Sequence, residues 1–147
     1  MKGFVCKVCG FVSINGSAPE KCPVCGSPKT AFQEKDNVLK TVVDKNNLTE
    51  LEKKHIPVIK VVKECGLLGE GCRDVHVKMG EIPHPMLAEH SIQHIDFYLD
   101  QEFISRVKLT PAKLNPAAAL HLKAASGKLS IVELCNLHGT WIKETKL

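Results

Sequence analysis

The sequence predicts a mainly β chain in two parts, an antiparallel β-sandwich preceded by a small metal-knuckle module. Three observations carry this reading. Two Cys-x-x-Cys-Gly sets, Cys6-Lys7-Val8-Cys9-Gly10 and Cys22-Pro23-Val24-Cys25-Gly26, open the chain. From Ile56 onward, short β-branched or alternating stretches recur with Gly, Pro and Asn between them. Helical periodicity is scarce, and there are no repeats or low-complexity segments. At 147 residues the chain has room for a small module joined to a domain of about 100.

The module occupies residues 1–36. In each knuckle a turn brings two sulfurs to one side, and the following glycine permits the tight backbone. Two facing knuckles make a tetrahedral site of Cys6, Cys9, Cys22 and Cys25, suited to zinc or to a single iron. So short a region cannot bury a core of its own, so the metal supplies its folding energy. Two disulfides are the bland alternative, and a cytoplasmic setting disfavours them. Phe4-Val5-Cys6-Lys7-Val8-Cys9-Gly10-Phe11, Ala18-Pro19-Glu20-Lys21-Cys22-Pro23-Val24-Cys25-Gly26 and Phe32 together resemble the rubredoxin-like domain of rubrerythrins. The resemblance implies one iron in four thiolates, cycling between ferrous and ferric, with Phe4, Phe11 and Phe32 as a small aromatic core. A zinc ribbon of identical spacing and structural role stays open beside it.

Residues 37–147 follow a polar patch, Gln33-Glu34-Lys35-Asp36-Asn37. Leu48 to Lys54 suits one helical turn with Thr49 near its start. Ile56–Lys63, Val75–Met79, Ser91–Leu99, Phe103–Leu109, Leu120–Ala124 and Leu129–Leu134 read as strands, and Cys135 follows the last of them. Pro57 suits an early or edge position in its strand.

Five metal-binding side chains fall at strand ends or in loops of this part. Cys135 and His138 stand three apart in Cys135-Asn136-Leu137-His138-Gly139-Thr140-Trp141, and thiolate and imidazole both hold iron, zinc and copper well. Trp141, the only tryptophan, would keep water off one side. His84 lies between Pro83 and Pro85, which stiffen its loop. His90 opens the next strand, and His55 precedes the first. One end of a sandwich can gather all five.

The His84-Pro85-Met86, Glu89-His90-Ser91-Ile92 and Cys135–Trp141 stretches, with Lys54-His55-Ile56-Pro57-Val58 upstream, resemble the superoxide reductases (neelaredoxins and desulfoferrodoxins) over residues 45–147. The resemblance implies an immunoglobulin-like antiparallel β-sandwich holding one non-haem iron. His55, His84, His90 and His138 would be its equatorial ligands and Cys135 its axial one. It implies reduction of superoxide to hydrogen peroxide, with re-reduction by an external, rubredoxin-type electron donor. Lys54 would attract the anion and order a proton-donating water. The family often has a glutamate immediately before that lysine, but here the position is Lys53, with Glu52 one residue earlier. Either Glu52 reaches in from a shifted loop or solvent caps the ferric site; the second is preferred. A non-catalytic iron electron carrier is the alternative function.

The other histidines carry no expected ligand role. His76 and His121 lie inside strand-like runs, and His94 stands where the family commonly has an aromatic residue lining the site. Glu89 and Asp96 are expected to orient ligands through hydrogen bonds. Cys65 and Cys72 bracket a glycine-rich turn and match nothing in the family pattern. A hairpin disulfide, an inter-subunit role and idle thiols all stay open for them.

Composition bounds the rest. A net charge of +4, from 20 basic and 16 acidic residues, is mild and scattered, and no basic run carries the interleaved aromatics of a strand-binding surface, so nucleic acid is not an expected partner. No apolar run approaches a membrane span, and no signal peptide precedes the first knuckle, so the expectation is a cytoplasmic protein. The open edges of such a sandwich point to a homo-oligomer, a dimer or tetramer.

Overall fold

The computed structural model describes residues 1–147. The first 35 residues form a three-stranded sheet in the order β2-β1-β3, built from β1 (Gly3–Cys6), β2 (Val12–Ser13) and β3 (Phe32–Lys35). After a turn at Asn37, β4 (Leu39–Lys40) leaves the module and pairs in parallel with the last strand of the chain. The short helix α1 (Glu50–His55) then begins on Thr49. The Thr49 hydroxyl accepts from Glu52 N at 3.1 Å, and Glu52 Oε2 accepts from Thr49 N at 2.9 Å, a reciprocal cap that fixes where the helix starts.

The sandwich is made by β5 (Pro57–Val62), β6 (Arg73–Met79), β7 (Ile92–Leu99), β8 (Glu102–Lys108), β9 (Ala117–Leu122), β10 (Lys128–Cys135) and β11 (Gly139–Lys146). One sheet runs β4-β11-β10-β7-β8 and the other β5-β6-β9; all pairs are antiparallel except β4–β11. Period-2 alternation explains the core. Val75, Val77 and Met79 of β6 meet Ile95 and Phe97 of β7 and Leu129 and Ile131 of β10 between the sheets.

Two strand expectations need correction. β10 runs through Cys135 instead of stopping before it, and β11 follows it across a hairpin that pairs Cys135 with Gly139. β11 escaped the periodicity reading because Thr140, Trp141 and Ile142 are buried consecutively, between β10 on one side and β4 on the other. β9 starts at Ala117 and not Leu120. Alanines give little β signal, although Ala118, Leu120 and Leu122 do face the core at every second position.

The module packs on the outer face of the five-stranded sheet. Phe11 lies stacked with Tyr98 at 5.9 Å and edge-on to Phe103 at 5.3 Å and Phe32 at 6.2 Å. The Tyr98 hydroxyl donates to Val12 O at 2.6 Å, and the Arg106 guanidinium donates to Cys9 O at 2.7 Å while forking onto Asp96. The expected aromatic core of Phe4, Phe11 and Phe32 is therefore replaced. Phe11 turns outward to the sandwich aromatics, and Phe4 stays half-buried outside the group, because so small a module lacks partners of its own.

Candidate metal centre

The five side chains from α1, the 80–91 loop and the β10–β11 hairpin meet at one end of the sandwich. Their donor atoms all lie within 4.8 Å of one another. The four imidazoles close a circuit. His55 to His84 is 4.6 Å between ring centroids, His84 to His90 4.6 Å, His90 to His138 5.0 Å and His138 to His55 5.0 Å. Successive planes cross at 66–80°, so the rings stand around a centre like the vanes of a wheel. Cys135 Sγ is 3.7 Å from His138 Nδ1.

Hydrogen bonds decide which nitrogen each ring turns inward. His55 Nδ1 is 2.7 Å from Leu51 O and His84 Nδ1 is 2.7 Å from Pro85 O, so each carries the proton on Nδ1 and donates it to a carbonyl. Their Nε2 atoms consequently face each other unprotonated at 3.1 Å. His90 Nε2 is buried with no partner. Burial is the first cause that lowers all three imidazoles, His55 to about 4, so they are neutral at pH 7 and free to donate a lone pair. Burial pushes the Cys135 thiol up, while the N–H groups of Leu137 and His138 pull it down.

Unprotonated nitrogens that converge and an orphaned buried one share the same missing partner, a cation. Four neutral imidazoles with one thiolate exceed the tetrahedral set of zinc and fit iron.

Backbone contacts hold these ligands in place. A Cβ on Gly80 would lie 2.6 Å from Lys53 O and 3.0 Å from His55 N, so only glycine lets the His84 loop lie against the end of α1. Lys53 O accepts from Ile82 N at 3.0 Å on the same seam. Asn136, inside the Cys135 turn, accepts from Ser91 N at 2.9 Å and donates to Glu89 O at 2.9 Å, clamping the segment that carries His90. Trp141 stacks on His55 at 4.9 Å and donates its indole N–H to His138 O. Lys40 of β4 donates to the same carbonyl at 2.7 Å. Asn136, Gly80 and Lys40 were not singled out from the sequence; Asn136 alone carried a local hint, its place between Cys135 and His138.

The Lys54 ammonium, half-exposed, acts electrostatically on both His84 and His90, which places it over the circuit. Glu52 does not reach in. Both of its carboxylate oxygens are committed to backbone N–H groups, Oε2 to Thr49 and Oε1 to Val43 at 3.2 Å. Glu89 meets Asn136 only through its backbone carbonyl, and Asp96 pairs with Arg106 under the N-terminal module, so neither carboxylate orients a ligand. His94 is also displaced from its expected role. It lies under Gly10 of the module, and burial pushes it down to about 3. Glu133, two residues before Cys135, is fully buried with both carboxyl oxygens unpartnered, and burial raises its pKa far above the usual range.

At the other site, Cys6 and Cys25 Sγ are 3.6 Å apart, as are Cys9 and Cys22 Sγ. A tetrahedron with metal–sulfur bonds of ~2.3 Å has edges of about 3.8 Å, whereas a disulfide needs about 2.05 Å. The four sulfurs therefore frame an ion, and disulfides are excluded. Burial pushes Cys9 up to about 12, whereas the Ser27 hydroxyl leads in bringing the exposed Cys25 down to about 6.

Residues 47–144 match the family described as desulfoferrodoxin, and residues 4–33 match the rubredoxin-like domain of rubrerythrin. The desulfoferrodoxin of Syntrophotalea carbinolica is 30% identical over 143 residues, covering 96% of this chain and 94% of that one. The solved superoxide reductase of Nanoarchaeum equitans is 30% identical, with a TM-score of 0.56 over 67% of this chain and 97% of that one. The superoxide reductase of Treponema pallidum, at 22% identity, shares the fold over 97% of this chain and 98% of its own, with a TM-score of 0.59. No helix is long and apolar enough to cross a membrane. With two thirds of its length matched and a full-length relative alongside, the chain belongs to the desulfoferrodoxin family, carrying a rubredoxin-like domain at its N-terminal end.

Proposed function

We propose that the chain is a superoxide reductase in which His55, His84, His90 and His138 hold iron equatorially and Cys135 holds it axially. The closed circuit of four perpendicular imidazoles beside a single sulfur carries this reading. Ferrous iron in such a set supplies one electron to superoxide at a position the protein leaves open. The balance is one superoxide, one electron and two protons to one hydrogen peroxide. Lys54, beside His84 and His90, draws in the anion and orders the water that delivers protons. Pro85 O and Leu51 O keep the inward nitrogens unprotonated. Trp141 and Met86 wall the centre from the core side, Trp141 by stacking and Met86 from the edge of the inner cluster.

The four thiols of Cys6, Cys9, Cys22 and Cys25 hold the second metal, iron or zinc, and residues 1–36 and 37–147 act as two units. A rubredoxin-type donor returns the electron, and where the N-terminal site holds iron it relays through its own chain. A Cβ on Gly10 would lie 3.6 Å from Leu134 Cδ2, and Leu134 is the residue before Cys135. Unchanged re-reduction of the catalytic iron by rubredoxin in Cys9→Ser would sink the relay.

The decisive experiment is a superoxide pulse on the anaerobically reduced protein, following iron oxidation, peroxide and oxygen together. The expected result is one peroxide and one oxidised iron per superoxide, without oxygen release. Catalytic oxygen release makes the protein a dismutase, and no reaction makes it an electron carrier. Lys54→Met is expected to slow the second-order step about tenfold and to flatten its dependence on ionic strength.

A further inference from the structure

The chain contains a third group of metal-binding side chains, far from both centres. Cys65 and Cys72 are buried at the two ends of the 63–72 loop between β5 and β6, and both are free thiols. Asp74 on β6 and His121 on β9 lie directly opposite each other in the strand register beside them. His121 Nδ1 is 3.1 Å from Cys65 Sγ, 3.6 Å from Cys72 Sγ and 2.7 Å from Asp74 Oδ1. Cys72 Sγ is 3.8 Å from Asp74 Oδ1, and the four donor atoms lie within 4.8 Å of one another.

The backbone at Cys65 carries an independent signal. In Cys6–Gly10 and in Cys22–Gly26, the glycine N–H donates to the cysteine carbonyl at 2.9 Å, with glycine φ of 76° and 78°. Cys65–Gly69 repeats the turn, with the same bond at 2.9 Å and a glycine φ of 74°. Cys135–Gly139 is its hairpin relative, with a glycine φ of 80°. The N–H groups two and three residues on are turned toward the sulfur in each of Cys22, Cys65 and Cys135; at Cys65 they are those of Leu67 and Leu68, both at 3.4 Å. Such N–H groups stabilise a thiolate rather than a thiol. The other three turns each aim a sulfur into a metal centre. In them the fourth position is Cys9, Cys25 or His138, a second donor; here it is Leu68, and the further donors come from Cys72, Asp74 and His121.

We propose that Cys65, Cys72, Asp74 and His121 hold a structural zinc ion that closes the 63–72 loop. Two thiolates, one imidazole and one carboxylate are a closed tetrahedral set of the kind zinc takes, with no position left for substrate. Around an ion with ordinary zinc bond lengths the donor-to-donor edges run to about 3.3–3.8 Å. Three of the four contacts lie near that range, and the Asp74–His121 pair opens by about half an ångström to admit the ion. Burial, followed by the neighbouring Cys65 and Asp74, pushes the Cys72 thiol up to about 11; binding the ion releases that proton. The site sits at the far end of the β5–β6 hairpin from His55, roughly 20 Å away for a strand of six or seven residues. It therefore ties down the loop without touching the reaction.

The test is the zinc and iron content of full-length wild type, Cys65→Ser/Cys72→Ser and His121→Ala, produced with zinc and purified anaerobically. Wild type is expected to hold one more zinc per chain than either variant, with equal visible absorption from the iron of the His4Cys centre in all three. Equal zinc in wild type and variants overturns the proposal, and an extra iron in wild type overturns the choice of zinc. A measurement on wild type alone guards against a variant that does not fold: native mass is expected to exceed the denatured, unreduced mass by the zinc at this site. A Cys65–Cys72 disulfide in that denatured mass overturns the proposal outright.

Discussion

The N-terminal knuckles and the His4Cys centre place their cysteines on similar Cys-to-Gly turns, yet depend on their metals in opposite ways. In the module the sulfurs are what joins the turns, because Phe11 has left to pack on Tyr98 and Phe103 and little else remains inside. In the sandwich the ligands hang on a framework that already has its own core of Val75, Val77, Ile95, Phe97 and Ile131. The first metal folds its site; the second occupies one that is already folded.

The largest effect that can break this contrast is Cys22→Ser. Metal binding of this type is worth about 10–16 kcal/mol to a knuckle domain, so loss of one thiolate should melt residues 1–35 while leaving the sandwich folded. Hydrogen exchange is expected to lose protection in β1 and β3 and to keep it in β6, β7 and β10. Protection retained in β1 would mean that the sheet surface alone holds the module. His84→Ala is the opposite arm. It should empty the catalytic centre of iron, seen by metal analysis, with hydrogen exchange in β6, β7 and β10 unchanged.

A third measurement sharpens the seam between the regions. His94 is neutral when folded, with a pKa near 3, and titrates near 6.5 when unfolded. The unfolded chain therefore binds more protons between these values. Stability from this residue is complete above pH 6.5 and lost as pH falls toward 3, on the order of 4 kcal/mol at most. His94→Phe should flatten that part of a denaturation profile taken between pH 3 and 7, and an unchanged slope would assign it to other groups. The smallest effect expected is that of Asn136→Ala. Removing its clamp on Glu89 and Ser91 should weaken iron binding about 10–100-fold with little change in melting temperature. A chelator competition would read it.

Much of the catalytic site was legible because ligand chemistry is carried by residue type. Histidine and cysteine are scarce, and Pro83, Pro85 and Gly139 mark the loops that present them. The supports were not legible, since they act through backbone atoms. Gly80 matters for what lies 2.6 Å from a Cβ it does not have, and Glu52 for two N–H groups its carboxylate accepts from, neither of which a spacing rule encodes. Likewise His94 and Asp96 alternate correctly along β7, but periodicity does not say that their face is covered by another part of the chain. Cys65 was left as an idle thiol for a related reason: its turn matches the other knuckles in backbone shape, while its fourth position lacks their donor.

The chain has one tyrosine and one tryptophan, and the fold assigns one to each region. Tyr98 bonds to Val12 across the seam, and Trp141 lies flat on His55. Their ultraviolet signals are thus separate gauges built into the unmodified protein. Indole emission reports whether the iron is in place, because an open-shell ion that close drains the excited state. The phenol absorption reports whether the module is still seated, since unseating it exposes the ring to water. One titration watched at two wavelengths would show which region lets go first.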